Sequence, residues 1–141
     1  MAAPSQLILP DAVRDAMIGH AQRTPALECC GLLIGIGDEL VTVLEACAVR
    51  NIATTPQRRF EIDPQEQFRL LRETRGGDLR IVGHYHSHPE GPPEPSAYDR
   101  DMAHDPEAVW CIIGLNPPVV EAFVCPDQAI GFVRLPVIAR P

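Results

Sequence analysis

The sequence predicts an α/β domain in which one mixed sheet carries helices packed around it. Three observations support this. Apolar runs of strand length recur along the chain, at 6–9, 29–36, 40–49, 79–83, 108–115, 119–124 and 130–135. Segments of helical character stand between some of them, opening at Pro10-Asp11, Asp63-Pro64 and Ser96. The remaining joints are rich in Gly, Pro and Asp, the residues that turns require. At 141 residues the chain is predicted to form one domain, 1–141, around a single core.

The elements follow in order. Gln6, Leu7, Ile8 and Leu9 make a short opening strand. Pro10 and Asp11 start a helix with Val13, Met17, Ile18 and Ala21 on one face, and Thr24-Pro25 ends it. The run 29–36 is apolar and too short for a typical helix, so it is a buried strand. Asp38-Glu39 turns the chain into a second strand, 40–49, giving a hairpin. A loop spans 51–59, with a short strand at 59–62. Asp63 and Pro64 open a second helix that runs to about Arg75 and stops at Gly76-Gly77-Asp78. After the strand entered at 79–83 come a Pro-rich loop and a short third helix. Strands at 108–115, 119–124 and 130–135 finish the chain, with turns at Pro117-Pro118 and Pro126-Asp127. No internal repeat or low-complexity tract is visible.

Composition narrows the partners. A net charge of −7 argues against nucleic acid, which needs a basic face. No apolar run approaches the roughly 20 residues of a membrane span. Met1-Ala2-Ala3-Pro4-Ser5 lacks a basic region followed by an apolar block, so no secretory signal is expected. Five cysteines, an odd number with no CxxC pair, point to a reducing cytoplasm and away from a zinc knuckle.

The chemistry concentrates between Gly83 and Asp99. The strand leads into Gly83-His84-Tyr85-His86-Ser87-His88-Pro89. Residues i and i+2 of a strand share a face, so His86 and His88 present two imidazoles side by side. The stretch 89–95, PEGPPEP, ends the strand, because proline lacks an N–H and fixes φ. Ser96 reads as the N-cap of the third helix, and Asp99 shares its first turn. Two histidines, one carboxylate and a fourth position open to water describe a catalytic zinc site. The expected metal ligands are thus His86, His88 and Asp99, holding one Zn2+ per chain with a bound water. Asp101 is the competing carboxylate. His84 shares the strand face and is expected to pack or hydrogen-bond below the site. Read alone, Asp99 is a first-turn carboxylate favoured by the helix dipole, Ser96 a cap and Glu28 a loop carboxylate. His20 and His104 read as surface or satisfied core residues, and Cys29 and Cys30 as small core residues.

His86-x-His88-Pro89, then Ser96 and Asp99, resembles the JAMM (MPN-plus) metalloprotease motif. Leu27-Glu28-Cys29-Cys30-Gly31-Leu32-Leu33-Ile34-Gly35 is similar to that family's upstream segment, a Glu, then Cys-Gly, then an apolar run. The resemblance spans roughly 6–130 and implies a curled, cytidine-deaminase-like sheet. The deaminase signature itself is absent. It also implies roles. Glu28 would be the general base that takes a proton from water and returns it to the leaving amine. Ser96 would hydrogen-bond the oxyanion, a kind of donor whose loss costs about 10²- to 10³-fold in turnover. The chain is similar to the compact prokaryotic branch, since only 100–107 separates Asp99 from the next strand. That branch implies a peptidase or isopeptidase acting on the C-terminal tail of a ubiquitin-like, sulfur-carrier protein, in cysteine or sulfur-metabolite synthesis. A homodimer is compatible with this reading. The alternatives are a catalytically silent MPN scaffold and a RadC-like, DNA-repair-associated protein.

Overall fold

The computed structural model describes residues 3–141; Met1 and Ala2, part of the segment read above for a leader, lie outside them. Its elements are β1 (Gln6–Pro10), α1 (Asp11–Arg23), β2 (Cys30–Ile36), β3 (Leu40–Val49), α2 (Pro64–Thr74), β4 (Arg80–Ser87), α3 (Ala97–Asp101), β5 (Val109–Leu115), β6 (Pro118–Asp127), β7 (Gly131–Leu135) and β8 (Val137–Arg140). The strands form one sheet in the order β7-β6-β5-β4-β2-β3-β1-β8. It is mixed: β4 runs parallel to β5, and β1 parallel to both β3 and β8, while the other neighbours are antiparallel.

The sheet is curled, as expected, and nearly closed, and the chain shows how. β7 and β8 are the two edges, yet Pro136 alone separates them in sequence. Consecutive Cα atoms lie about 3.8 Å apart, so the two edges must meet there. Pro136 cannot donate to a ladder, but its carbonyl accepts from the Leu7 N–H at 3.0 Å, which hands the chain over to β1. β8 lies beyond the last strand the sequence predicts, 130–135.

Helix α1 fills the concave side. Met17 and Ala21 are fully buried in one cluster with residues of β1 through β7, and Val13 and Ile18 pack against it. The apolar face read from the sequence is the buried one. Burying one such side chain contributes about 1.5–3 kcal/mol. α2 covers the other face through Leu70, which packs with Cys30, Leu32 and Ile34. Its start is as predicted: Asp63 accepts the Gln65 N–H at 3.0 Å, and Pro64 opens the helix.

Two expectations need correction. The strand at 59–62 is a single bridge between Asn51 and Ile62, because the Asn51 side chain takes the Arg59 carbonyl and Glu61 N–H that a ladder would use. The last β turn falls later than Pro126-Asp127: both residues belong to β6 beside a register shift, and Asp127 accepts the Ala129 N–H at 2.9 Å. α3 is short, as expected, and ends at Asp101. Among the described residues no helix is long and apolar enough to cross a membrane.

Candidate metal and hydrolytic site

β4 delivers the histidines where its pairing with β2 runs out. Cys30 lies opposite His86, so continuing the antiparallel register sets Glu28 opposite His88. The ladder continues past β2: the Ser87 N–H donates to the Cys29 carbonyl at 3.0 Å, and the His88 N–H to the Ile113 carbonyl at 2.9 Å. Gly31 lets the strands approach. A Cβ there would enter the Tyr85 ring and stand 2.6 Å from the Cys47 carbonyl oxygen. Tyr85 points to the α1 side, where its hydroxyl meets His20 Nδ1 at 2.7 Å. His20 is therefore a satisfied, half-buried residue.

The three expected ligands converge. His86 Nε2 and His88 Nε2 are 3.1 Å apart. Asp99 Oδ2 stands 3.3 Å from the first and 3.5 Å from the second. Two atoms each about 2.0–2.1 Å from a tetrahedral zinc stand roughly 3.3 Å apart, a length these separations match. Glu28 joins them: Glu28, His86 and His88 each place one ligand atom within 4.8 Å of the others, a cluster that can hold a metal. Glu28, His86 and Asp99 are all buried. His84 is outside this cluster. It packs edge-on against Trp110 at 4.3 Å, and burial holds it neutral, with its pKa lowered to about 3. Asp101 is exposed and also outside it.

The surroundings orient each group. His88 Nδ1 lies 3.0 Å from the Pro92 carbonyl, so its Nδ1–H donates to the Pro-rich loop and the Nε2 lone pair is left for a metal. Among the described residues His86 Nδ1 has no such partner; its ring instead stacks on Phe60, centroids 4.3 Å apart at 17°. Ser96 and Asp99 cap one another. The Ser96 N–H donates to Asp99 Oδ2 at 2.9 Å, and the Asp99 N–H donates to Ser96 Oγ at 3.0 Å. Arg100 anchors the short helix through the Gln128 and Ala129 carbonyls, both at 2.8 Å.

Electrostatics separate the two carboxylates. Burial alone would raise Asp99, but the two imidazoles and the Ser96 N–H hold it well below the usual carboxylate range. Burial raises Glu28 to about 7, with His88 opposing and Asp99 adding. Its carboxylate accepts no hydrogen bond from the described residues. The two carboxyls thus ionise in different ranges, Asp99 well into the acid and Glu28 near neutrality. The thiols do not compete: burial pushes Cys29 up, and Cys30 to about 12.

Sequence reasoning missed Asn51, Phe60, Ser87 and Arg100. Ser87 lies inside the motif and could have been suspected. Its hydroxyl accepts the Cys29 N–H at 2.9 Å and approaches the Leu27 carbonyl at 3.4 Å, bracketing Glu28. The other three carry no local signal.

The chain is similar to known proteins over most of its length. A desampylase of Haloferax volcanii is 39% identical over 112 residues, covering 77% of this chain and 80% of its own. A CysO-cysteine peptidase of Mycobacterium bovis is 28% identical over 117 residues, covering 79% and 75%. A protein of Desulfitobacterium hafniense, solved in solution, superposes with a TM-score of 0.84 at 29% identity, covering 96% of this chain and 93% of its own. Residues 10–126 match the family described as prokaryotic homologs of the JAB domain, and the chain belongs to that family.

Proposed function

We propose that this protein is a zinc-dependent peptidase or isopeptidase that hydrolyses an amide bond at the C-terminal tail of a ubiquitin-like protein. The observation that carries this is the meeting of His86, His88 and Asp99 at tetrahedral edge lengths, with the unengaged Glu28 carboxylate beside them. Two imidazoles and one carboxylate suit zinc. A zinc ion held there supplies an acidified water and a polarised substrate carbonyl.

The chain's own groups do the rest. Glu28 takes the proton of the attacking water and returns it to the leaving nitrogen. Ser96 Oγ already accepts the Asp99 N–H, so its hydrogen is free to donate to the oxygen of the attacked carbonyl. Asp99 stays ionised and holds its place through Ser96.

The substrate class rests on the relatives' names, desampylase and CysO-cysteine peptidase, and on the likeness to the compact prokaryotic branch. A sulfur carrier with a C-terminal adduct, serving sulfur-metabolite synthesis in the cytoplasm, is the specific reading. The complete donor set favours hydrolysis over a silent scaffold.

The first test is metal content by plasma mass spectrometry, with cleavage of a ubiquitin-like protein fused through its C-terminus. About one zinc per chain and cleavage in the wild type, both lost in His86→Ala/His88→Ala, are expected. A wild type that takes up no zinc at neutral pH overturns the proposal.

A further inference from the structure

Asn51 uses every hydrogen-bonding position of its side chain. Nδ2 donates to the Glu28 carbonyl and to the Arg59 carbonyl, each at 2.9 Å. Oδ1 accepts from the Ala53 N–H and from the Glu61 N–H, each at 3.0 Å. A primary amide has two donors and two acceptor lone pairs, so this one is saturated.

What those four groups flank gives the arrangement its meaning. One belongs to Glu28, the residue assigned above to proton transfer. Glu28 precedes β2 and lies outside any ladder. The loop 51–62 holds it at both backbone polar groups: the Glu28 N–H donates to the Pro56 carbonyl at 2.7 Å, and Asn51 takes the carbonyl. Two others, the Arg59 carbonyl and the Glu61 N–H, bracket Phe60. That ring lies flat on His86, whose Nδ1 has no hydrogen-bond partner among the described residues. One amide therefore fastens the peptide of the base and the peptides on both sides of the ring that sets the imidazole plane.

We propose that Asn51 is a positioning residue: it sets Glu28 and Phe60 relative to His86 and acts on hydrolysis through them. This rests on the reading of Glu28 as the base. Partners of this kind, one step removed from a metal site, typically change affinity or activity by about 10- to 100-fold.

The test uses the full chain loaded with zinc, and the metal-free chain beside it. Asn51→Ala should lower kcat roughly 10- to 100-fold while KM stays nearly constant. Combined with Glu28→Gln, it should cost less than it does alone, because part of its effect runs through Glu28. A merely structural residue would lower kcat by the same factor in both backgrounds, and that result overturns the proposal. The second readout needs no turnover. In the metal-free wild type the His86 ring protons should be shifted upfield in the proton NMR spectrum by the stacked Phe60 ring. Asn51→Gln keeps the amide but displaces it by one methylene, and should reduce that shift. An unchanged shift in a folded Asn51→Gln overturns the proposal even if the wild type hydrolyses nothing. Absence of any wild-type turnover with the shift lost in Asn51→Gln would instead defeat the hydrolytic reading and keep the positioning of His86.

Discussion

The Ser87 hydroxyl oxygen accepts the Cys29 N–H at 2.9 Å, joining the residue between the two histidines to the residue after Glu28. Both groups are buried, with Ser87 1% and Cys29 5% exposed. The strand that bears the imidazoles and the segment that bears the base thus share one hydrogen bond beyond the regular ladder. Ser87→Ala strands a buried N–H, at a cost of about 1–3 kcal/mol. We expect a lowered Tm, retained zinc and reduced turnover. Wild-type Tm and turnover in this variant would show that the bond positions nothing.

Asp99 and Ser96 hold each other as well as the site, and substitutions should separate these duties. Asp99→Ala removes a ligand and should lose zinc when dialysed against a mild chelator that leaves the wild type loaded. Ser96→Ala should keep zinc, lose about 1 kcal/mol of helix capping, and lose about 10²- to 10³-fold in kcat. Full zinc in Asp99→Ala would pass the third ligand position to Glu28.

Glu28→Gln keeps the shape of the side chain but cannot carry a proton. It should fold, bind zinc and lose about 10²- to 10⁴-fold in kcat. Burial raises this carboxyl to about 7. A bound dication favours the ionised form, so the acid limb of kcat/KM in the loaded enzyme should lie below pH 7. Activity falls as pH drops through that limb, because the base becomes protonated. A fully active Glu28→Gln would remove Glu28 from the proton path.

Gly31→Ala tests the close approach of β2 and β4. Its methyl group would enter the Tyr85 ring and press on the Cys47 carbonyl. Overpacking of this kind costs about 1–3 kcal/mol, occasionally more. Equilibrium denaturation should show the loss, and an unchanged midpoint would mean that Tyr85 can move aside freely.

Local chemistry made much of this protein legible. The period of Val13, Met17, Ile18 and Ala21 is a property of the helix alone, and that face is the buried one. The spacing of His86 and His88 guarantees one strand face, and Ser96 with Asp99 guarantees one helical turn. Glu28 was found only by likeness to a known segment, since nothing in its neighbours says which strand end it will meet.

The parts that could not be read depend on partners distant in sequence. Asn51 looks like any loop asparagine until residues 28 and 59–61 arrive around it. β8 looks like a polar-ended tail until β1 offers it a free edge. Phe60 looks like part of a strand until His86 lies under it.

The sequence by itself determined the alternation of strands and helices, the paired imidazoles and the capped carboxylate, because each arises from the geometry of a few adjacent residues. Only the tertiary structure decided that Glu28 stands opposite His88, that Phe60 covers His86 and that one asparagine ties them together. Those relations are set by strand register and sheet curl, which are energies summed over contacts far apart in the chain.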